Sequence, residues 1–276
     1  MRWTRFSSTT TVYLVLVLGA LFTIGPFLLS ILTAFKTREQ FAQQSVLSWP
    51  DPFTLENFAL LLTGPAQFGR AIVITVLAAV LILVGQLIFS ILAAYAFARV
   101  DFPGRQVLFW VYLSTLMIPP VVLVVPLYLM MTEAGLRNSF WSLVLPFAFA
   151  SPYAIFLLRE YFRGIPQELI DAARLDGANT LDILVEIVVP LSRPIIATLT
   201  LITIVSHWNS FMWPLVVTTG TQWRVVTVAT ASLQSQFNGN WTLVMAATTL
   251  ALVPLLVLFL MFQRSFVRSI TIAGSA

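Results

Sequence analysis

Residues 168–194 read ELIDAARLDGANTLDILVEIVVPLSRP, a polar, acid-rich segment set between two strongly apolar stretches. Counted from Glu160, this region holds six of the chain's eleven carboxylates: Glu160, Glu168, Asp171, Asp176, Asp182 and Glu186. A connection that only joined two apolar stretches could be short. This one is long and patterned, which points to a surface that meets another protein.

The pattern reads as helix, glycine turn, helix. Pro166 suits a first helical turn, where its missing N–H costs nothing. Glu168 and Asp171 follow at the positive end of the helix dipole, where carboxylates are favourable. Leu169, Ala172, Ala173 and Leu175 form the expected apolar stripe. Gly177 stands where a C-terminal cap belongs. Asn179 or Thr180 then starts a second short helix through Glu186, ended by Pro190 and Pro194. Asp176 lies at the unfavourable end of the first helix dipole, and a purely structural loop gains nothing from it.

The surroundings are those of a membrane protein. The 276 residues are 59% hydrophobic and 9% charged, with a mean hydropathy of +0.92, against about 25% charged for a soluble domain. There is no cysteine, so disulfides and thiolate metal sites are excluded. The net charge is +4, and no basic block suggests nucleic-acid binding. Arg2 and Arg5 precede an apolar run from Thr11 to Phe35. That run exceeds the core of a secretory signal, about 7–15 residues, and is expected to be a retained first span.

Six stretches are long and apolar enough to cross a bilayer as helices, roughly 12–35, 71–98, 107–131, 140–158, 195–217 and 243–263. With the N-terminus inside, ten of the fifteen Lys and Arg fall inside: Arg2, Arg5, Arg99, Arg105, Arg159, Arg163, Arg174, Arg193, Arg264 and Arg268. Lys36, Arg38, Arg70, Arg137 and Arg224 fall outside, so the bias places both termini in the cytoplasm. Pro119, Pro120, Pro126, Pro146 and Pro152 predict bent spans, either tolerated by neighbouring helices or lining a pathway. Residues 36–70 read as an external loop with short amphipathic pieces, and 218–242 as a second external loop. The chain shows no internal repeat and reads as one membrane domain, 1–276, with the cytoplasmic loop at about 159–194.

The loop resembles the EAA loop of ATP-binding-cassette (ABC) importer permeases. Asp171-Ala172-Ala173 stands for Glu-Ala-Ala, Gly177 for the glycine four residues on, and Ile187-Val188-Val189-Pro190 for the closing Ile-x-Leu-Pro. Asp171 shortens the carboxylate arm by one methylene and Val189 replaces leucine. Further likeness lies in Pro119-Pro120 with Pro126-Leu127-Tyr128 and Gly135-Leu136, in the PxELxxAAxxDGA form beginning at Pro166, and in Trp208-Asn209 with Trp213-Pro214-Leu215. These are similar to the second, six-span permease subunit of maltose- and glycerol-3-phosphate-type importers. The resemblance implies an all-α membrane protein with the type I ABC importer permease fold. It implies Glu168, Asp171, Ala172, Ala173, Asp176 and Gly177 as the residues coupling to a cytoplasmic ATPase. The implied partners are a second, related permease, two ATPase subunits and an extracytoplasmic substrate-binding protein.

The chain carries no P-loop of its own. Its only lysine, Lys36 in ILTAFKT, lacks the preceding glycines. It is therefore expected to be no enzyme and to bind no cofactor, with ATP and Mg on the partner subunits. The fifth apolar stretch carries Trp208, Asn209, Ser210 and Trp213, which suit the hydroxyls and C–H faces of a sugar. The same residues also suit helix packing and interface anchoring. Gln86 in the second stretch is a polar group without an evident partner. An ion-coupled carrier, with His207 as its titratable group, a non-transporting scaffold and an ABC importer for a non-sugar solute remain alternatives.

Overall fold

A computed structural model describes residues 3–236 and 240–273, with side chains described for 9–234 and 240–261. Arg2, Gly239 and the end of the C-terminal tail lie outside what is described, as do the side chains of Arg5, Arg264 and Arg268. Along the chain run α1 (Trp3–Ala34), α2 (Arg38–Gln43), α3 (Glu56–Thr63), α4 (Phe68–Arg99), α5 (Arg105–Ser114), α6 (Val124–Glu133), α7 (Phe140–Val144) and α8 (Pro152–Arg163). They are followed by α9 (Gln167–Leu175), α10 (Thr180–Asp182), α11 (Val189–Leu191), α12 (Arg193–Trp208), α13 (Met212–Val217), α14 (Val226–Gln236) and α15 (Trp241–Ala273). No strand occurs among the described residues.

Three helical stretches are long and apolar enough to cross a membrane unbroken: Thr9–Ala34, Phe68–Arg99 and Trp241–Met261. In the first, none of the most apolar window is buried within the chain, so its side chains require lipid or another protein as cover. Two further candidates are bent pairs, Arg105–Met117 with Pro120–Glu133 at 95° and Thr180–Leu191 with Arg193–Trp208 at 78°. Pro119 and Pro120 fall at the first bend and Pro194 just after the second, where a proline ring and a missing N–H interrupt the ladder.

Several expectations are corrected. The stretch 140–158 is not one helix: α7 and α8 flank a non-helical segment at 145–151. Helical winding also continues past Pro190 to Leu191. Residues Ile183–Val188 adopt the wider π winding, which opens the turn where the Pro190 ring would press on the Glu186 carbonyl. Part of the expected loop 218–242 is the helix α14, whose Val226, Ala229 and Leu233 are buried at helical spacing. The loop at 36–70 holds α2 and α3, the short helical pieces expected there.

Chain contacts divide into two compact units, Met1–Gly69 with Ala229–Pro254 and Arg70–Val228 with Leu255–Ala276. The first is organised around Asn57. Its Nδ2 donates to Ala34 O at 2.8 Å and Lys36 O at 2.9 Å, collecting carbonyls left open where α1 ends. The Thr242 hydroxyl sits 3.0 Å from Asn57 Oδ1 and 2.9 Å from Asn240 Oδ1, which joins the start of α15 to the same knot. Lys36 is fully buried, and its Nζ donates to Ser45 O, Val46 O and Ser48 Oγ at 3.0–3.1 Å. All three donors of the ammonium are thereby used, which is what makes such burial tolerable.

The second unit packs α4, α5, α8, α9 and the π turn around Phe97, Phe109, Leu158, Phe162, Ile170 and Val188. Its unwound segment 145–151 is held by side chains of α4 and α5. Gln86 Nε2 donates to Phe147 O at 3.1 Å, the Ser151 amide donates to the buried Ser90 Oγ at 3.0 Å, and the Tyr112 hydroxyl donates to Ala150 O at 2.5 Å. Gln86 Oε1 also accepts from Thr203 at 3.2 Å, which supplies the partners the sequence left unassigned. Gly85 makes the approach possible, because a Cβ there would lie 2.2 Å from Ala148 O.

Candidate functional site

α9 begins after Pro166, which sits one place earlier than expected, as the N-cap. Ile170 is buried and Ala173 packs against the core, while Leu169, Ala172 and Leu175 project outward. The buried stripe is therefore Ile170 with Ala173, and most of the expected stripe lies on the open face. Leu175 is 89% exposed and Leu169 46%. Leu181 and Val185 add exposed apolar side chains from the next turns.

The helix ends as the glycine predicts. Gly177 has φ +88°, the Gly177 amide donates to Arg174 O at 3.1 Å, and the Ala178 amide donates to Ala173 O at 2.9 Å. That is the Schellman pair, which needs a left-handed residue at this place. Asn179 then caps α10, accepting from the Leu181 and Asp182 amides while Asp182 accepts from the Asn179 amide. Glu168, Asp171 and Asp176 are all exposed. Asp171 accepts from Gln167 Nε2 at 2.9 Å and lies 3.8 Å from Arg174.

The residues that hold this loop in place were counted in the sequence only as charges. Arg99, the last residue of α4, donates through Nε and Nη2 to Phe162 O, through Nη2 to Ile165 O at 2.5 Å, and through Nη1 to Gln167 Oε1 at 2.6 Å. Arg159 of α8 is buried, donates to Phe97 O at 3.3 Å and to Glu160 Oε1 at 2.5 Å, and lies 4.1 Å over the Phe109 ring. The available signal was position: each arginine ends or interrupts an apolar run.

The second group of expected residues surrounds a break in the chain. α12 ends at Trp208, and helix resumes at Met212. Trp208 and Trp213 are buried, and Trp213 Nε1 donates to Ser142 O at 2.9 Å, so both indoles belong to the framework. Asn209 is exposed and its Nδ2 donates back to Val205 O at 2.8 Å. The Ser210 carbonyl accepts from the Thr227 hydroxyl at 2.6 Å. A cavity of about 270 Å³ lies between this break and the bend at Pro120, walled by Val124, Leu127, Phe147, Ser210 and Phe211. The His207 ring lies tilted against Phe147, with ring centroids 5.3 Å apart and 52° between the planes. Among the described residues no group of His, Asp or Glu could hold a metal.

The chain thus carries two interrupted helices around a cavity and, separately, an outward-facing acidic loop. Residues 86–272 match the family of binding-protein-dependent transport system inner membrane components. The chain belongs to that family. This permease is 33% identical to the arabinooligosaccharides transport system permease protein AraQ of Halalkalibacterium halodurans, over 92% of each chain. It is 32% identical to the sn-glycerol-3-phosphate transport system permease protein UgpE of Yersinia pestis, over 94% of each chain. Its fold matches a chain in the crystal structure of a bacterial ABC transporter involved in the import of the acidic polysaccharide alginate. There the TM-score is 0.82 and the identity 24%, covering 96% of this chain and 98% of that one.

Proposed function

We propose that this permease is a membrane subunit of an ABC importer that moves a carbohydrate or related polyol inward, driven by separate ATPase subunits. The observation that carries the proposal is the outer face of α9. An exposed leucine at position 175, beside Leu169, Ala172 and the carboxylates of Glu168, Asp171 and Asp176, makes a small apolar patch with an acidic rim. Such a patch on a rigid turn is suited to a protein groove. Ala173 and Gly177 serve it from behind, one by packing and the other by ending the helix.

The chain forms one permease domain with six crossings: the three long helices, the bent pair Arg105–Met117 with Pro120–Glu133, α7 with α8 around the unwound segment 145–151, and α12 with α13 beyond the cytoplasmic loop. Both termini lie in the cytoplasm, as the charge bias favours, and the loop faces the same side. The partners are a second homologous permease, two ATPases that bind ATP and Mg, and an extracytoplasmic binding protein. Relatives whose names specify arabinooligosaccharides and glycerol-3-phosphate support the substrate class. The shared fold with an alginate importer, also crystallised with an alginate pentasaccharide-bound periplasmic protein, is consistent with it. In the path, Asn209 and Ser210 at the helix break meet solute, and Trp208 and Trp213 hold the break open.

Co-purification from native membranes with mass spectrometry tests the proposal. An ATPase should accompany the wild-type chain and be lost with Leu175→Glu. Recovery of the chain without any ATPase in mild detergent would overturn it.

A further inference from the structure

Gln167 lies between a cation and an anion that belong to different parts of the second unit. Its Oε1 accepts from Arg99 Nη1 at 2.6 Å, and its Nε2 donates to Asp171 Oδ1 at 2.9 Å. A carboxamide does both at once, because it offers an acceptor and a donor on one planar group. The charges on either side fix its orientation: reversing the amide would point its N–H at a guanidinium and its oxygen at a carboxylate. Arg99 is itself immobilised, since Nε and Nη2 are engaged by the carbonyls of Phe162 and Ile165. The result is a continuous polar chain from the last residue of the long helix α4 to the carboxylate on α9.

We propose that Gln167 is a positioning residue, aligning the Asp171 carboxylate to the end of α4 so that movement of one is conveyed to the other. This rests on the reading of α9 as the ATPase-docking helix. Docking is carried by the apolar face at Leu169 and Leu175 with Asp171 on its rim; Gln167 forms neither, and its substitution leaves the Asp171 charge in place. Gln167 therefore affects how hydrolysis is converted into transport while leaving assembly intact. Gln167→Leu removes both bonds. Gln167→Glu keeps the acceptor for Arg99 and loses the donor for Asp171, placing two carboxylates side by side. Both variants leave the Arg99 bonds to the Phe162 and Ile165 carbonyls in place, so folding is preserved.

The experiment uses the full importer, with both permeases, the ATPases and the binding protein, in proteoliposomes. ATP hydrolysed per solute imported is measured with the solute that the binding protein retains. Both variants should raise that ratio about fivefold, the low end for coupling between two sites, with ATPase recovery and melting temperature unchanged. Gln167→Asn, whose shorter amide can reach only one neighbour, should fall with them. An unchanged ratio with the ATPase present would overturn this proposal alone, as would a ratio that changes only in step with a lowered melting temperature. Absence of an ATPase from the wild-type preparation would instead overturn the reading beneath it.

Discussion

Arg99 and Arg159 terminate each other's helices. Arg99, at the end of α4, donates to the Phe162 carbonyl in the last turn of α8, and Arg159 of α8 donates to the Phe97 carbonyl in the last turn of α4. The last four carbonyls of a helix have no partner within it, and cations there also oppose the negative end of the dipole. Here two helices exchange that service, and the loop that follows α8 is positioned by the exchange.

Arg159→Met should be the more damaging loss. It leaves the Phe97 carbonyl unpaired in a buried setting and removes the cation from the Phe109 ring. We expect about 1–3 kcal/mol of destabilisation, read as a lower melting temperature in detergent, with Arg159→Lys recovering part of it. An unaltered melting temperature for Arg159→Met would show that the reciprocal capping is dispensable.

Gly177→Val should leave the protein inserted and, on the proposed docking of α9, lower ATP-driven uptake. No atom lies within 4 Å of a Cβ placed there, so the penalty is backbone strain at φ +88° rather than a clash. A left-handed conformation costs an L-residue about 1–2 kcal/mol, and β-branching adds to that. Gly177→Asn should retain more uptake than Gly177→Val. Equal uptake by the two would count against the turn's conformation as the cause.

Gln86→Leu should lower stability by about 1–3 kcal/mol, because Phe147 O and the Thr203 hydroxyl lose their shared partner. Limited proteolysis should then cut first within 145–151. Protection equal to wild type would show that other groups hold this segment.

Burial pushes the Lys36 ammonium below the ordinary lysine value of 10.5. Between that lowered value and 10.5 the unfolded chain keeps a proton the folded chain has released, so stability rises with pH across the window. Denaturation followed from neutral to alkaline pH should show this slope, and Lys36→Met should flatten it. A slope identical in the variant would place its origin in another group.

Asn209→Leu should reduce import without moving the melting temperature, since its one described bond is local, back to Val205 O. Trp213→Phe should do the reverse by releasing Ser142 O. If both variants lowered only stability, neither residue would be assigned to the path.

The sequence was most legible where punctuation is local. Pro166 and Gly177 bracket α9, and Asn179, offered with Thr180 as the start of the next turn, caps it, because each acts on backbone within four residues. It was less legible where a choice of face was needed. α9 has apolar residues on both sides, and nothing in nine residues says that Ile170 points inward and Leu175 outward. Arg99, Arg159 and Gln86 escaped assignment because their partners lie some sixty residues away. The break at 145–151 was half visible: Pro146 and Pro152 announced a disturbance, but the groups that make unwinding affordable, Gly85, Gln86 and Ser90, sit on another helix.

That dependence sets an order of biogenesis. On the proposed six-crossing topology the 145–151 segment lies at membrane depth, where unpaired backbone is strongly unfavourable, so it cannot dwell in lipid before α4 and Tyr112 of α5 are beside it. Synthesis from the N-terminus delivers both first. A circular permutant that makes residues 140–163 ahead of 68–114 would present the unwound segment with no groove to enter, and it should be retained by the insertion machinery or degraded while the native order succeeds.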